Sequence, residues 1–250
     1  MELERKTVLL TGATGGLGRA IAEALAARGA TMVLSSRKPD ELDALARALP
    51  GDRHRRIVRD LAEPTAAEEL AAEAGAVDAL VANAGLGANG RIDKFEPERI
   101  ELVVRINLEA PIRLARAVAP AMRERSSGQM VFVSSLAGKA ATANGALYTA
   151  TKAGLRGFAL SLRQDLARDG VGVSVVCPGF IREAGLFADS GRTPPMNLGT
   201  SAPREVGAAV VTAIERNRAE LDVAPRRQRL LANFAGRHPH LIARISGRSG

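Results

Sequence analysis

At 250 residues, 46% apolar and 25% charged, the chain is long enough to bury one full α/β core and has the composition of a soluble globular protein. The formal charge of +8 invites a nucleic-acid reading, but after Asp222 there are six arginines (Arg226, Arg227, Arg229, Arg237, Arg244, Arg248) and no acid, so six of the eight excess charges lie in the tail and the rest of the chain is nearly balanced. With only 3% aromatic residues and no Trp to stack on bases, no nucleic-acid partner is expected.

No apolar run approaches the ~18 residues of a membrane span, and Met1 to Lys6 leads into a strand with no signal-peptide pattern, so the expected location is cytoplasmic. The single Cys177 excludes an internal disulfide and, at the end of a Val-rich run, reads as a buried small hydrophobe.

Strand and helix patterns alternate, which predicts an α/β fold: a Rossmann-like doubly wound parallel sheet of about seven strands with helices on both faces. The first strand, Lys6 to Thr11, runs into a glycine turn and an Ala/Leu helix that ends at Gly29. Strand before and helix after are the context in which glycines bring backbone close to a pyrophosphate at a helix N-terminus. The turn therefore nominates Gly12, Thr14, Gly15, Gly16, Leu17 and Gly18 as dinucleotide contacts. After the second strand, Thr31 to Ser35, an NAD site places an acid on the ribose hydroxyls; here Ser36 and Arg37 stand there, and Arg37 suits a 2′-phosphate, which favours NADP(H) over NAD(H). Asp40 and Glu41, after Pro39, suit the start of the next helix.

A third strand within Arg53 to Arg59 ends at Asp60-Leu61, and a fourth, Val77 to Ala82, at Asn83-Ala84-Gly85; both ends fall where an adenine would sit. His54 reads as structural. Pro97 to Arg125 is a long helical region interrupted by Asn107, whose amide in a helix interior calls for a backbone partner, a kink or a buried water. A short apolar run, Met130 to Val133, leads to Ser134-Ser135, and the helix from Gly145 to Arg168 opens with Tyr148 and Lys152. Positions i and i+4 share a helix face. An ammonium beside a phenol whose ordinary pKa is ~10 favours the phenolate, so Lys152 is expected to acidify Tyr148 toward the range of general acid–base catalysis.

The sixth strand, Val171 to Cys177, breaks at Pro178-Gly179. Residues 180–203 lack periodicity and read as a substrate loop, with Leu186, Phe187, Met196 and Leu198 as apolar lining opposite Leu86 to Lys94. A helix, Arg204 to Arg218, and a strand, Leu221 to Ala224, follow. The tail, 225–250, sets Leu230, Leu231, Phe234, Leu241, Ile242 and Ile245 among its arginines. Docking of these apolar residues on the body or a sister subunit is favoured over peripheral contact with an anionic membrane. His238 and His240 lack a third ligand, so no metal is expected. With no repeat and no linker, residues 1–250 read as one domain.

With these residues in hand, the sequence resembles the short-chain dehydrogenase/reductase family in its ~250-residue form. The resemblance rests on Thr11-Gly12 with Gly16 and Gly18, Asn83-Ala84-Gly85, Asn107, Ser135 thirteen places before Tyr148, Tyr148 with Lys152, and Pro178-Gly179. It implies that Tyr148 exchanges a proton with the reacting oxygen and Ser135 hydrogen-bonds it, while Lys152 binds the nicotinamide ribose and Asn107 holds a water linking Lys152 to solvent. It also implies contacts from Pro178, Gly179 and Ile181 to the nicotinamide carboxamide. Glu183 stands where the family often has a threonine, and Gly15 where NADP-using members often carry a basic residue. The expected activity is hydride transfer between NADP(H) and a fairly apolar small-molecule carbonyl or secondary alcohol, by a homodimer or homotetramer. The alternative is a dinucleotide-binding regulatory or scaffold protein of the same fold.

Overall fold

The computed structural model describes residues 1–183, 198–238 and 240. Among these, seven parallel strands form one sheet in the order β3-β2-β1-β4-β5-β6-β7. They are β1 (Thr7–Thr11), β2 (Thr31–Ser36), β3 (Arg55–Val58), β4 (Ala79–Ala82), β5 (Gly128–Val133), β6 (Val171–Pro178) and β7 (Glu220–Val223). The expected doubly wound sheet is present. The order reverses between β1 and β4, the crevice where open parallel sheets bind ligands.

The central strands are continuous apolar runs because both faces are covered. Alternation sends neighbouring side chains to opposite layers. Val8, Leu10, Met32, Leu34, Val131 and Val133 pack beneath α1 (Gly16–Ala26), α2 (Pro39–Ala48) and α7 (Pro203–Arg216). Leu9, Val33, Leu80, Met130, Phe132, Val175 and Cys177 pack beneath α3 (Ala66–Ala74), α5 (Ala110–Glu124) and α6 (Ala146–Leu166).

Pro97 to Arg125 is not one helix. α4 (Pro97–Val104) and α5 are joined by a π-turn, Arg105–Glu109, centred on Asn107. Pro111 has no N–H to offer the carbonyl four residues back, that of Asn107, so the α-helical register gives way there. His54, just ahead of β3, is structural as expected. Its Nδ1 accepts from the Met32 N–H at 3.0 Å, so its Nε2 carries the proton and donates to the Pro50 carbonyl at 2.9 Å.

The tail departs from expectation. Residues 226–237 form a helix, α8 (Arg226–Arg237), that docks on the body through Gln228 and Ala232. Leu230, Leu231 and Phe234, expected to dock on the body or on a sister subunit, do not dock on the body and are 71%, 47% and 45% exposed on this chain. The sequence pointed to the other face because the inward one is a polar residue and a small one, and a hydrophobic stripe is what marks a buried face in sequence. The expectations for Leu186, Phe187, Met196, Leu241, Ile242 and Ile245 fall outside the described residues. No helix among the described residues is long and apolar enough to cross a membrane.

Candidate active site

The cleft lies over the carboxyl ends of β1 to β5 and is floored by the glycine turn. Gly12 has φ +64, and a Cβ there would lie 2.9 Å from the Ala84 Cα; a Cβ on Gly18 would lie 2.1 Å from the Gly12 carbonyl. Only glycine allows this turn against β4 and this seating of α1. The N-terminus of α1 has no side-chain cap and no acid in its first turn, so its N–H groups remain available to an anion. Gly12, Thr14, Gly15, Gly16, Leu17 and Gly18 all line the cleft.

Ser36, Arg37, Asp60, Leu61, Asn83, Ala84 and Gly85 line the part of the cleft over the ends of β2 to β4, joined by Ser35, Lys38 and Arg59. These cations differ in commitment. Lys38 bonds Glu41 at 2.7 Å, and Arg59 bonds Glu69 and Glu73 at 2.6 and 2.8 Å. Arg37 has its nearest carboxylate, Asp60, at 3.9 Å and a side chain 63% exposed. Asn83 is also a structural tie. Its Nδ2 donates to the carbonyls of Thr11 and Gly12 at 3.1 and 3.2 Å, while the Thr11 hydroxyl accepts from the Asn83 and Ala84 N–H groups. Thr11 thereby locks the ends of β1 and β4 together.

Tyr148 and Lys152 lie one turn apart on α6, and both face this cleft. Lys152 is 3% exposed, and its Nζ donates to the Val133 carbonyl at 2.9 Å, 5.9 Å from the centre of the Tyr148 ring. Asn107 is 0% exposed. It accepts from the Leu86 N–H at 2.7 Å and donates to the Leu86 carbonyl at 2.9 Å and to the Thr151 hydroxyl at 3.3 Å. It thus finds its backbone partner and marks a change of helix register at once. A Cβ on Gly85 would lie 3.4 Å from both Asn107 Oδ1 and Lys152 Nζ, so these two groups converge on the end of β4.

The two serines divide. Ser134 is 4% exposed and donates to the Lys152 carbonyl at 2.8 Å, pinning α6 to β5. Ser135 accepts from the Ala137 N–H at 3.1 Å and donates to the Pro178 carbonyl at 3.3 Å, and its hydroxyl lies near enough to the Tyr148 phenol to draw its pKa downward. Ser135, Asn107, Pro178, Gly179 and Ile181 stand behind or beside the cleft wall, which also includes Leu86, Ile106, Val133 and Ser134. Ile181 is 3% exposed and bridges Ser201, so main chain rather than side chain is what it offers. Glu183, at φ +71, pairs with Arg182 at 2.9 Å and is 67% exposed at its side chain.

The electrostatics correct one expectation. In the protein alone the Tyr148 phenol is not acidified. Desolvation pushes it up to about 12, and the Ser135 hydroxyl pulls the other way with smaller effect. Desolvation lowers Lys152 to about 8. The ammonium is turned to the Val133 carbonyl, and burial is the dominant influence on the phenol. At neutral pH the pair is therefore a protonated phenol above a largely protonated lysine.

A second charged cluster was not foreseen. Under β6 and β7, Lys139 pairs with Glu220 and, at 2.5 Å, with Asp222, while Arg156 pairs with Glu220 at 2.8 Å. Cys177 is buried beside them as expected, its thiol pushed up to about 12 by desolvation. Cys177, Glu220 and Asp222 lie close enough to share an ion, but Lys139 already occupies both carboxylates.

A doubly wound sheet with a glycine turn at its switch point, and a tyrosine and lysine facing the same crevice, is the arrangement expected of a dinucleotide-dependent oxidoreductase. The family model described as short chain dehydrogenase matches residues 6–193, and the chain belongs to that family. It is 38% identical over 227 residues to the ketoacyl reductase HetN of Nostoc sp., covering 88% of this chain and 79% of the relative. It is 36% identical over 185 residues to the 3-oxoacyl-[acyl-carrier-protein] reductase FabG of Escherichia coli, covering 72% and 75%. A short-chain dehydrogenase from Streptomyces avermitilis superposes with TM-score 0.82 at 28% identity, over 99% of this chain and 97% of that one. A short-chain dehydrogenase from Sphingobium yanoikuyae in complex with NADPH gives TM-score 0.82 at 28% identity, over 95% of each chain. The chain is an oxidoreductase acting between carbonyl and alcohol.

Proposed function

We propose that the protein is an NADPH-dependent reductase of a fairly apolar carbonyl substrate. The observation that carries this reading is the convergence of Tyr148, Lys152 and the glycine turn on one cleft, with the Ser135 hydroxyl against Tyr148. When bound, the nicotinamide supplies or accepts the hydride. Tyr148 passes its proton to the carbonyl oxygen while Ser135 donates a hydrogen bond to it, and Lys152 holds the ribose hydroxyls. A phenol pushed to about 12 keeps its proton at neutral pH, which is the state that reduction requires.

The residues present fit a dinucleotide: uncapped N–H groups at α1 for the pyrophosphate, and Arg37, the least committed cation of the adenosine side, for a 2′-phosphate. The NADPH in the Sphingobium neighbour and the ketoacyl substrates in the relatives' names support the same reading. So does the apolar cluster that Tyr148 packs against, whose partly exposed members are Leu86, Phe95 and Ile100.

A panel of ketones and 3-oxoacyl thioesters is to be assayed by loss of reduced cofactor, with NADPH and NADH in parallel. NADPH is expected to be preferred, and turnover to rise with acyl chain length. Arg37→Asp should lower kcat/KM for NADPH by about 10- to 100-fold, the worth of a charge-assisted hydrogen bond, and Tyr148→Phe should abolish turnover while leaving NADPH binding intact. Equal use of both cofactors with no response to Arg37→Asp would overturn the cofactor assignment, and full activity in Tyr148→Phe the mechanism.

A further inference from the structure

Gln228 lies on the inner side of α8, 4% exposed, and takes no part in the chemistry above. Its amide reaches both ends of the 180–203 segment. Oε1 accepts from the Phe180 N–H at 3.2 Å, and Nε2 donates to the Leu198 and Gly199 carbonyls at 3.1 and 2.5 Å. The main chain stitches the same two ends: Ser201 N–H donates to the Phe180 carbonyl at 2.9 Å, and Arg182 N–H to the Ser201 carbonyl at 3.0 Å. This approach depends on Gly179, where a Cβ would lie 2.2 Å from Gln228 Oε1. At the other end of α8, a Cβ on Gly236 would lie 2.4 Å from the Lys139 carbonyl, at the close of the short turn that follows Ser135. One helix therefore bears on both main-chain segments that flank the Ser135 hydroxyl, which itself donates to the Pro178 carbonyl.

We propose that Gln228 is a positioning residue for hydride transfer: through Phe180, Leu198 and Gly199 it fixes the main chain that follows Pro178, whose carbonyl accepts from Ser135, and so the place of the Ser135 hydroxyl relative to Tyr148. The inference rests on the reductase reading. Buried amide hydrogen bonds of this kind are expensive to leave unmade, so the segment's base has one arrangement and not several. The adenosine and pyrophosphate contacts come from other elements, α1 and the ends of β2 to β4, and do not pass through Gln228. Loss of the amide should therefore cost turnover rather than nucleotide affinity. A misplacement of about 1 Å at the reacting groups is enough to cost up to about 100-fold.

The test is Gln228→Met, which keeps length and apolar volume but removes all three hydrogen bonds, with Leu230→Ser on the outward face of the same helix as control. Three quantities are read at a temperature well below the midpoint of unfolding: kcat, the NADPH dissociation constant by fluorescence, and amide hydrogen exchange at Phe180. The expected result is a fall in kcat of at least about tenfold, a dissociation constant within about threefold of wild type, and faster exchange at Phe180, with Leu230→Ser unchanged. Should Gln228→Met not fold, Gln228→Asn, which keeps an amide but withdraws it by one methylene, is read in the same way. Wild-type kcat with wild-type protection of Phe180 would overturn the proposal. So would a variant whose losses in kcat and in nucleotide binding track its melting curve and vanish on cooling. Failure of the wild-type protein to bind either cofactor would instead sink the reductase reading, while exchange at Phe180 would still report on the clamp.

Discussion

Two lysines face opposite consequences on removal. Lys139 has a side chain 9% exposed between Glu220 and Asp222. Desolvation lowers its pKa, but its bonds to Asp222 and Glu220 outweigh that and raise it. Lys139→Met leaves Asp222 half-buried without its cation, and Glu220 with Arg156 alone. Breaking such a pair costs about 3 kcal/mol, so chemical denaturation should show a loss of that size. Lys152 has no acid, and burial lowers it from 10.5 to about 8. That depression corresponds to roughly 3 kcal/mol of destabilisation at neutral pH, partly offset by roughly 1.5 kcal/mol from its bond to Val133. Lys152→Met should therefore stabilise the fold, by about 1–2 kcal/mol, while abolishing turnover. The sign with pH follows from linkage: between about 8 and 10.5 the unfolded chain binds the proton that the folded chain has lost, so this cost disappears as pH rises through that window. Melting curves of wild type and Lys152→Met should converge from pH 8 upward. A variant less stable than wild type at pH 7 would contradict this account of Lys152.

Among the elements, the π-turn at Arg105–Glu109 is the least expected and the most informative. A buried asparagine in a helical run was legible as an oddity, and Pro111 explains why the turn widens there, but its partner was not legible. Leu86 lies 21 positions earlier, and only the packing of α5 against the end of β4 brings its N–H and carbonyl to the amide. Asn107→Ala should strand both backbone groups and cost about 2–4 kcal/mol, read as a lowered denaturation midpoint; a change below about 0.5 kcal/mol would show that water replaces the amide at no cost. α8 teaches the complementary lesson. Its inward face is Gln228 and Ala232, while the apolar residues that stood out in the sequence, Leu230, Leu231 and Phe234, lie at helical spacing on the face left exposed.

At the scale of the whole molecule, the cleft is assembled from the ends of five parallel strands and the start of α6, so a nucleotide held as proposed would tie segments from Gly12 to Lys152. Any ligand that binds only the folded state stabilises it by mass action, about 2.7 kcal/mol at 100 times the dissociation constant. NADPH at that excess should raise the melting temperature by about 5–10 °C. At equal concentration NADH should raise it less, and equal shifts would count against Arg37 as a phosphate ligand. The alternation of strands and helices, the glycine turn and the Tyr148/Lys152 spacing were written in the sequence, because periodicity, φ > 0 and i,i+4 proximity are local properties of the chain. The protonation of Tyr148, the pairing of Lys139 with Glu220 and Asp222, the separation of Ser134 from Ser135 and the reach of Gln228 were decided by tertiary structure. Each depends on desolvation or on a partner from a distant segment, and neither exists until the sheet and its helices have closed.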